Sequence, residues 1–239
     1  MSRIRVLRDA AAVAKEAAEF VALYVKSKPD ARVLVATGNT PVPTYEALAQ
    51  LNPDMSDTWA VQLDEYLIPD DDPRLLYAWM ARAYLTPLGV TQVLRFDLSS
   101  QDTQRMCRLH ADKISALGGI DLAILGLGPN GHLGFNEPPS GADAPTRAVT
   151  LSQASLASNA AYWSAAPHGS RAAPRNAVTV GMDIILKADT ILLLVTGQHK
   201  RDILARTLSE TPNPELPSSY LRDTNLVVIT DQDVTGGAA

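Results

Sequence analysis

Residues 120–137 read IDLAILGLGPNGHLGFNE, a strand-forming run that passes directly into a glycine-rich loop. Ile120–Leu125 is short, mainly apolar and closed by glycine, which suits a strand buried on both faces of a parallel sheet. After it come glycines at 126, 128, 131 and 134, the amide Asn130, one of only four histidines (His132), and the carboxylate Glu137. Acid/base groups are thereby set at the carboxyl edge of a sheet, where open α/β folds bind ligands.

Gly126–Gly131 is also a literal G-x-G-x-x-G match. A dinucleotide site, however, needs a helix opening in that loop to hold the pyrophosphate. Gly134, Pro138, Pro139 and Gly141 argue against such a helix, and the stretch about twenty residues on, TRAVTL, lacks the ribose-binding acid. No nicotinamide or flavin is expected.

Outward from this loop, strand and helix patterns alternate. Helices are expected at Ala10–Lys26, Thr44–Leu51, Pro73–Leu85, Asp102–Leu117 and Lys200–Leu208, with a helix or turn at Met182–Ala188. Strands are expected at Arg32–Ala36, Trp59–Leu63, Val93–Asp97, Ala177–Val180, Thr190–Val195 and Leu226–Thr230. This alternation predicts a Rossmann-like α/β fold, a mostly parallel sheet with helices on both faces. Residues 1–239 read as one domain; Pro138–Thr146 and Pro167–Pro174 read as mobile loops.

Composition narrows the function. Lys and Arg number 21 against 26 Asp and Glu, a net charge of −5 without a basic cluster, which argues against nucleic acid. No apolar stretch has membrane-spanning length and no N-terminal signal pattern is present. Cys107 is the only cysteine, so an intrachain disulfide is impossible and a cytoplasmic setting is expected. Within its predicted helix it reads as packing.

Three further segments fall at strand ends. Thr37, Gly38, Asn39 and Thr40 lie between a strand and a helix, where free N–H groups and hydroxyls favour an anion; taken alone, the segment reads more simply as a capped turn. Asp64 and Glu65 end the strand Trp59–Leu63. Lys200 opens a helix, against the dipole, and can supply local positive potential. His132 can move protons near neutral pH, with Asn130 and Glu137 to orient it.

Taken together, ATGNTP (36–41), LDEY (63–66), GLGPNGHLGFNEP (126–138), TVG (179–181) and LLLVTGQHK (192–200) resemble the glucosamine-6-phosphate deaminase/isomerase family. That superfamily includes galactosamine-6-phosphate isomerase-like proteins and 6-phosphogluconolactonases. The resemblance runs from about Val33 to Ile229. It implies that Asp64 moves a proton between C2 and C1 of an opened sugar, and that His132 opens the ring with Glu137 and Asn130. It further implies that Thr37, Gly38, Asn39, Thr40 and Lys200 hold phosphate. The implied reaction is aldose–ketose isomerisation with release of ammonia from glucosamine or galactosamine 6-phosphate, needing neither metal nor organic cofactor. The only partner implied is the small-molecule sugar phosphate, and the sequence leaves homo-oligomerisation open.

Two departures stand out. Asn130 replaces the Asp of some relatives, and Ala161 stands where the deaminases carry a phosphate-binding arginine; Arg147, Arg171 and Arg175 are the candidate substitutes. The alternatives are a 6-phosphogluconolactonase, against which Phe135-Asn136-Glu137-Pro138 speaks, and a non-catalytic sugar-phosphate sensor. The sensor reading is disfavoured by the retention of Asp64, His132 and Glu137 together.

Overall fold

Short apolar runs bounded by glycine and polar residues become the strands of one parallel sheet, as such runs do when both faces are covered. The computed structural model describes residues 3–38, 40–153, 155–157 and 174–234. In chain order the elements are β1 (Arg3–Val6), α1 (Ala10–Ser27), β2 (Arg32–Val35), α2 (Val42–Leu51), β3 (Trp59–Gln62), β4 (Asp64–Tyr66), α3 (Leu76–Met80), α4 (Thr86–Leu88), β5 (Gln92–Leu94), α5 (Thr103–Ala116), β6 (Leu122–Gly126), β7 (Arg147–Thr150), β8 (Asn176–Thr179), β9 (Thr190–Val195) and β10 (Leu226–Thr230). Short helical segments Met182–Ile185 and Arg201–Ser209 flank β9.

Seven strands form the main sheet in the order β1-β10-β9-β6-β2-β3-β5, every pair parallel. Chain progression runs outward from β2 through β3 to β5, and the other way from β6 through β9 to β10. The reversal falls between β2 and β6, and the crevice above such a reversal is where open α/β sheets bind ligands. Alternate strand residues feed opposite cores. Leu122 and Ile124 pack with Val21 and Tyr45 of α1 and α2, whereas Ala123 and Leu125 pack with Met106 and Ile114 of α5. Both faces are therefore covered, as expected. Asp9 and Asp102 cap α1 and α5 by accepting from Ala12 N–H (2.7 Å) and Arg105 N–H (2.9 Å).

At the opposite, amino edge, fully buried Asp121 accepts from the Arg32 N–H and Nε (both 2.6 Å) and from Lys28. Cys107 is buried in α5, in the packing role expected of it. No helix among the described residues is long and apolar enough to cross a membrane.

The structure amends the expected elements in three places. The expected Pro73–Leu85 helix starts at Leu76 and carries a π turn at Ala81–Leu85 before α4, with Thr86 N–H donating to Ala81 O. Pro87 has no N–H to give, and the widened turn absorbs the lost bond. Asp64 and Glu65 do not end β3: the chain leaves the parallel sheet at Leu63, whose carbonyl accepts from Val180 N–H (2.8 Å), and β4 begins a second sheet. That sheet, β4-β8-β7, is antiparallel. The Pro138–Thr146 loop is tied down: Ser140 N–H donates to Pro214 O (3.0 Å) and Asp183 N–H to Ala144 O (3.3 Å).

Candidate active site

The loop after β6 folds back on itself. Gly131 N–H donates to Gly128 O and Gly128 N–H to His132 O, both at 3.0 Å. Gly131 sits at φ 81°, a conformation glycine adopts at low cost. Gly128 serves a different end: a Cβ there would overlap three atoms of the His132 ring. The imidazole thus rests on bare backbone.

Asn130 Oδ1 accepts from His132 Nδ1 at 2.7 Å and from its main-chain N–H at 3.3 Å. This fixes the proton on Nδ1 and leaves the lone pair on Nε2. Burial pushes the His132 pKa down to about 4; the Glu137 charge opposes the shift and Lys200 adds to it. At neutral pH the ring is a neutral base. Glu137, for its part, is gripped by Ser152 N–H (2.8 Å), Ser152 Oγ (2.5 Å) and Ser155 Oγ. Burial would raise Glu137, and these hydrogen bonds outweigh it, holding the carboxylate below its usual range. The orienting bond on His132 therefore comes from Asn130, and Glu137 acts on the ring through its charge.

Asp64, 7% exposed, opens β4 opposite Thr179. Thr179 Oγ1 accepts from Phe135 N–H at 3.1 Å, so β4 and the His132 loop meet through this threonine. The approach is close enough that a Cβ on Gly134 (φ 59°) would press on Thr179 and Leu63. Burial, then the Glu65 charge, raises Asp64 to about 8. Such a carboxylate is a far stronger base than one in water.

Thr37, Gly38 and Thr40 follow β2, beside β6 at the reversal. Helix α2 opens behind them at Pro41 with no side-chain cap, but its first N–H groups are spent within the turn: Val42 donates to Gly38 O (3.4 Å), Thr44 to Pro41 O (2.9 Å), and Pro43 has none, which leaves the loop itself to meet an anion. Tyr45 donates to Ala36 O at 2.7 Å and fixes the root of this loop. Half-buried Lys200 crosses from beyond β9 and donates to Leu127 O at 2.8 Å; burial lowers its pKa. Its ammonium is thereby held beside the His132 loop.

Asn39, Ala161 and Arg171 lie outside the described residues, as do Pro167–Ala173. Arg147 donates to Asn136 Oδ1 (2.8 Å) and Ser140 Oγ (2.9 Å), and so braces the 136–145 loop. Arg175 is exposed just ahead of β8. The sequence reading missed the Thr179 link, the Gly128 seat and the Ser152/Ser155 clasp. Of these only the serine pair, spaced i, i+3 for one helical turn, left a signal.

Residues 8–230 match the model of the glucosamine-6-phosphate isomerases/6-phosphogluconolactonase family. The chain is 34% identical over 229 residues to the glucosamine-6-phosphate deaminase of Geobacillus sp. (strain WCH70), covering 92% of this chain and 90% of the relative. It is 35% identical over 224 residues to that of Streptomyces avermitilis, covering 91% and 85%. Among solved structures, a monomeric glucosamine-6-phosphate deaminase superposes with a TM-score of 0.90 at 29% identity, over 98% of both chains. The 6-phosphogluconolactonase of Trypanosoma brucei, at 19% identity and a TM-score of 0.77, shares the fold. With its parallel sheet, strand-end loops and matching sequence, the chain belongs to the glucosamine-6-phosphate isomerase/6-phosphogluconolactonase family.

Proposed function

We propose that the protein isomerises and deaminates an amino-sugar 6-phosphate, glucosamine or galactosamine 6-phosphate, to the ketohexose 6-phosphate and ammonia. The observation that carries this reading is a buried carboxylate and a tautomer-fixed neutral imidazole on either side of the Thr179–Phe135 contact. The relatives named as glucosamine-6-phosphate deaminases support the same substrate class.

In this reading the phosphate rests on the loop after β2, on Thr37, Gly38, Asn39 and Thr40, and on the Lys200 ammonium. His132 Nε2 takes the proton of the sugar's anomeric hydroxyl and returns one to the ring oxygen, opening the ring. Asn130 holds the imidazole in the tautomer that permits this, and Glu137 stabilises it when it becomes charged. Asp64 then removes the C2 proton and delivers it to C1, passing through an enol-type intermediate. The imine left at C2 takes up water and expels ammonia. A cytoplasmic setting fits the single, buried cysteine.

The test is a panel of hexosamines with and without the 6-phosphate, read out as ammonia and ketose. Ammonia from a 6-phosphorylated hexosamine alone is the expected result. Its absence from every member overturns the proposal, and hydrolysis of 6-phosphogluconolactone would move the assignment to the lactonase branch.

A further inference from the structure

Behind Asp64 lies a second carboxylate that the scheme above does not use. Glu65 is 1% exposed, and four donors occupy its two oxygens. Oε1 accepts from the N–H groups of Tyr66 and Leu76, each at 2.8 Å. Oε2 accepts from Tyr77 N–H at 2.8 Å and Gln62 Nε2 at 2.7 Å. None of these donors carries a full charge. A buried anion held only by dipoles is costly, and burial raises Glu65 above its ordinary value; the four hydrogen bonds oppose that shift and favour the ionised form.

Gln62 is itself fixed. Its Oε1 accepts from Phe96 N–H (3.1 Å), which turns Nε2 towards Glu65 and the Asp64 carbonyl (3.0 Å). The Gln62 carbonyl accepts from His110 Nε2 at 3.1 Å, and His110 stacks on Phe96. The charge of Glu65 is thus locked against β4 from three sides. Consecutive strand side chains leave on opposite faces, so the two carboxyl groups act through their charges rather than through a shared proton.

We infer that Glu65 is a positioning residue for the proposed proton transfer, its buried carboxylate being fixed by four hydrogen bonds next to Asp64 on β4. The inference rests on the assignment of Asp64 as the base.

The groups facing the pair agree with it. Tyr45 on α2 packs edge-on against Tyr84 at 4.9 Å. Burial, Tyr84 and Asp64 all push Tyr45 upward, so it stays neutral. Burial lowers His110 on α5 to about 4, so it too is neutral near pH 7. Arg147, in register with Thr179 on β7, is committed to Asn136 and Ser140, and Arg74, ahead of α3, is paired with Asp72. Burial and the Glu65 charge are the two causes acting on Asp64.

The experiment compares Glu65→Gln and Glu65→Asp by the pH profile of kcat/KM, whose acidic limb reports the base in the free enzyme. Glu65→Gln is expected to move that limb down by about one pH unit or more, while Glu65→Asp, which keeps the charge, leaves it near the parent's. A role confined to packing would lower kcat and Tm and leave the midpoint in place, and that result overturns the inference. Because the glutamine NH2 would face a donor, carboxyl-resolved NMR titration of the parent chain is the second measurement. Glu65 should titrate first and Asp64 last; the reverse order sinks the inference. That titration needs no turnover, so a chain that releases no ammonia would fail the proposed function while leaving this coupling separately decided.

Discussion

Replacing Gly128 with alanine should separate the catalytic role of His132 from the stability of the fold. The three atoms nearest to the added methyl are Cδ2, Nε2 and Cε1 of the imidazole, all of which it overlaps. Gly128 lies outside the left-handed region, so alanine meets no backbone strain there. The ring must therefore yield by on the order of 1 Å, a displacement that costs about 100-fold in rate when it falls on a reacting group. This corresponds to about 2.7 kcal/mol of transition-state stabilisation. Crowding the ring costs roughly 1–3 kcal/mol, of which the roughly 0.4–1 kcal/mol gained through the unfolded chain offsets a part. For a chain of this length the remainder lowers Tm by no more than about 8 °C. Steady-state kcat/KM by ammonia release and Tm by calorimetry should thus move apart. Parental turnover in the variant would refute the placement of His132 over the glycine as a catalytic requirement. A collapsed Tm would show that the ring cannot move aside.

Three further outcomes are expected. Asp64→Asn should abolish turnover and retain ligand binding. Since the folded Asp64 pKa (about 8) lies above its unfolded value (3.8), its contribution to stability is lost as pH rises through that window; the variant should therefore be more stable than the parent at pH 8, by at least about 2–4 °C in a melting scan, with the gap closing below about pH 4. Lys200→Ala should raise KM by about 10–100-fold, the value of a charge-assisted hydrogen bond, with little change in kcat; an unchanged KM removes Lys200 from the phosphate site. Asp121→Asn leaves Arg32 and Lys28 facing each other without their anion, at a cost of about 3 kcal/mol. A denaturant titration should show that loss with turnover at 25 °C retained, since Asp121 sits at the edge remote from the loops.

The main sheet was legible because its central strands are apolar runs: LAIL in β6, TILLLV in β9 and LVVIT in β10 announce burial on both faces. Edge strand β1, RIRV, gives no such signal, since two arginines interrupt its short run. Of the antiparallel sheet only β8 was foreseen, as Ala177–Val180, and its two partners were not, for a different reason. DEY in β4 is too short for any periodicity, and RAVT in β7 is half exposed. At the site, the pairing of Asn130 with His132 could be read from adjacency in a glycine-rich loop. The fixation of Glu65 could not, because its partners include main-chain N–H groups 11 and 12 positions along, which carry no residue signature. The Phe135–Thr179 bond spans 44 residues and is set by topology alone.

The proposed base and the imidazole ride on different sheets: Asp64 on the three-stranded one, His132 on a loop of the seven-stranded one. Their separation is consequently a docking coordinate, stapled by Thr179 Oγ1 to Phe135 N–H, by Val180 N–H to Leu63 O and by Asn136 Nδ2 to Val180 O (2.9 Å). Sliding one sheet over the other would retune the gap between Asp64 and His132, with neither chemical group altered. Loosening a single staple is thus a route to admitting a longer or shorter carbohydrate.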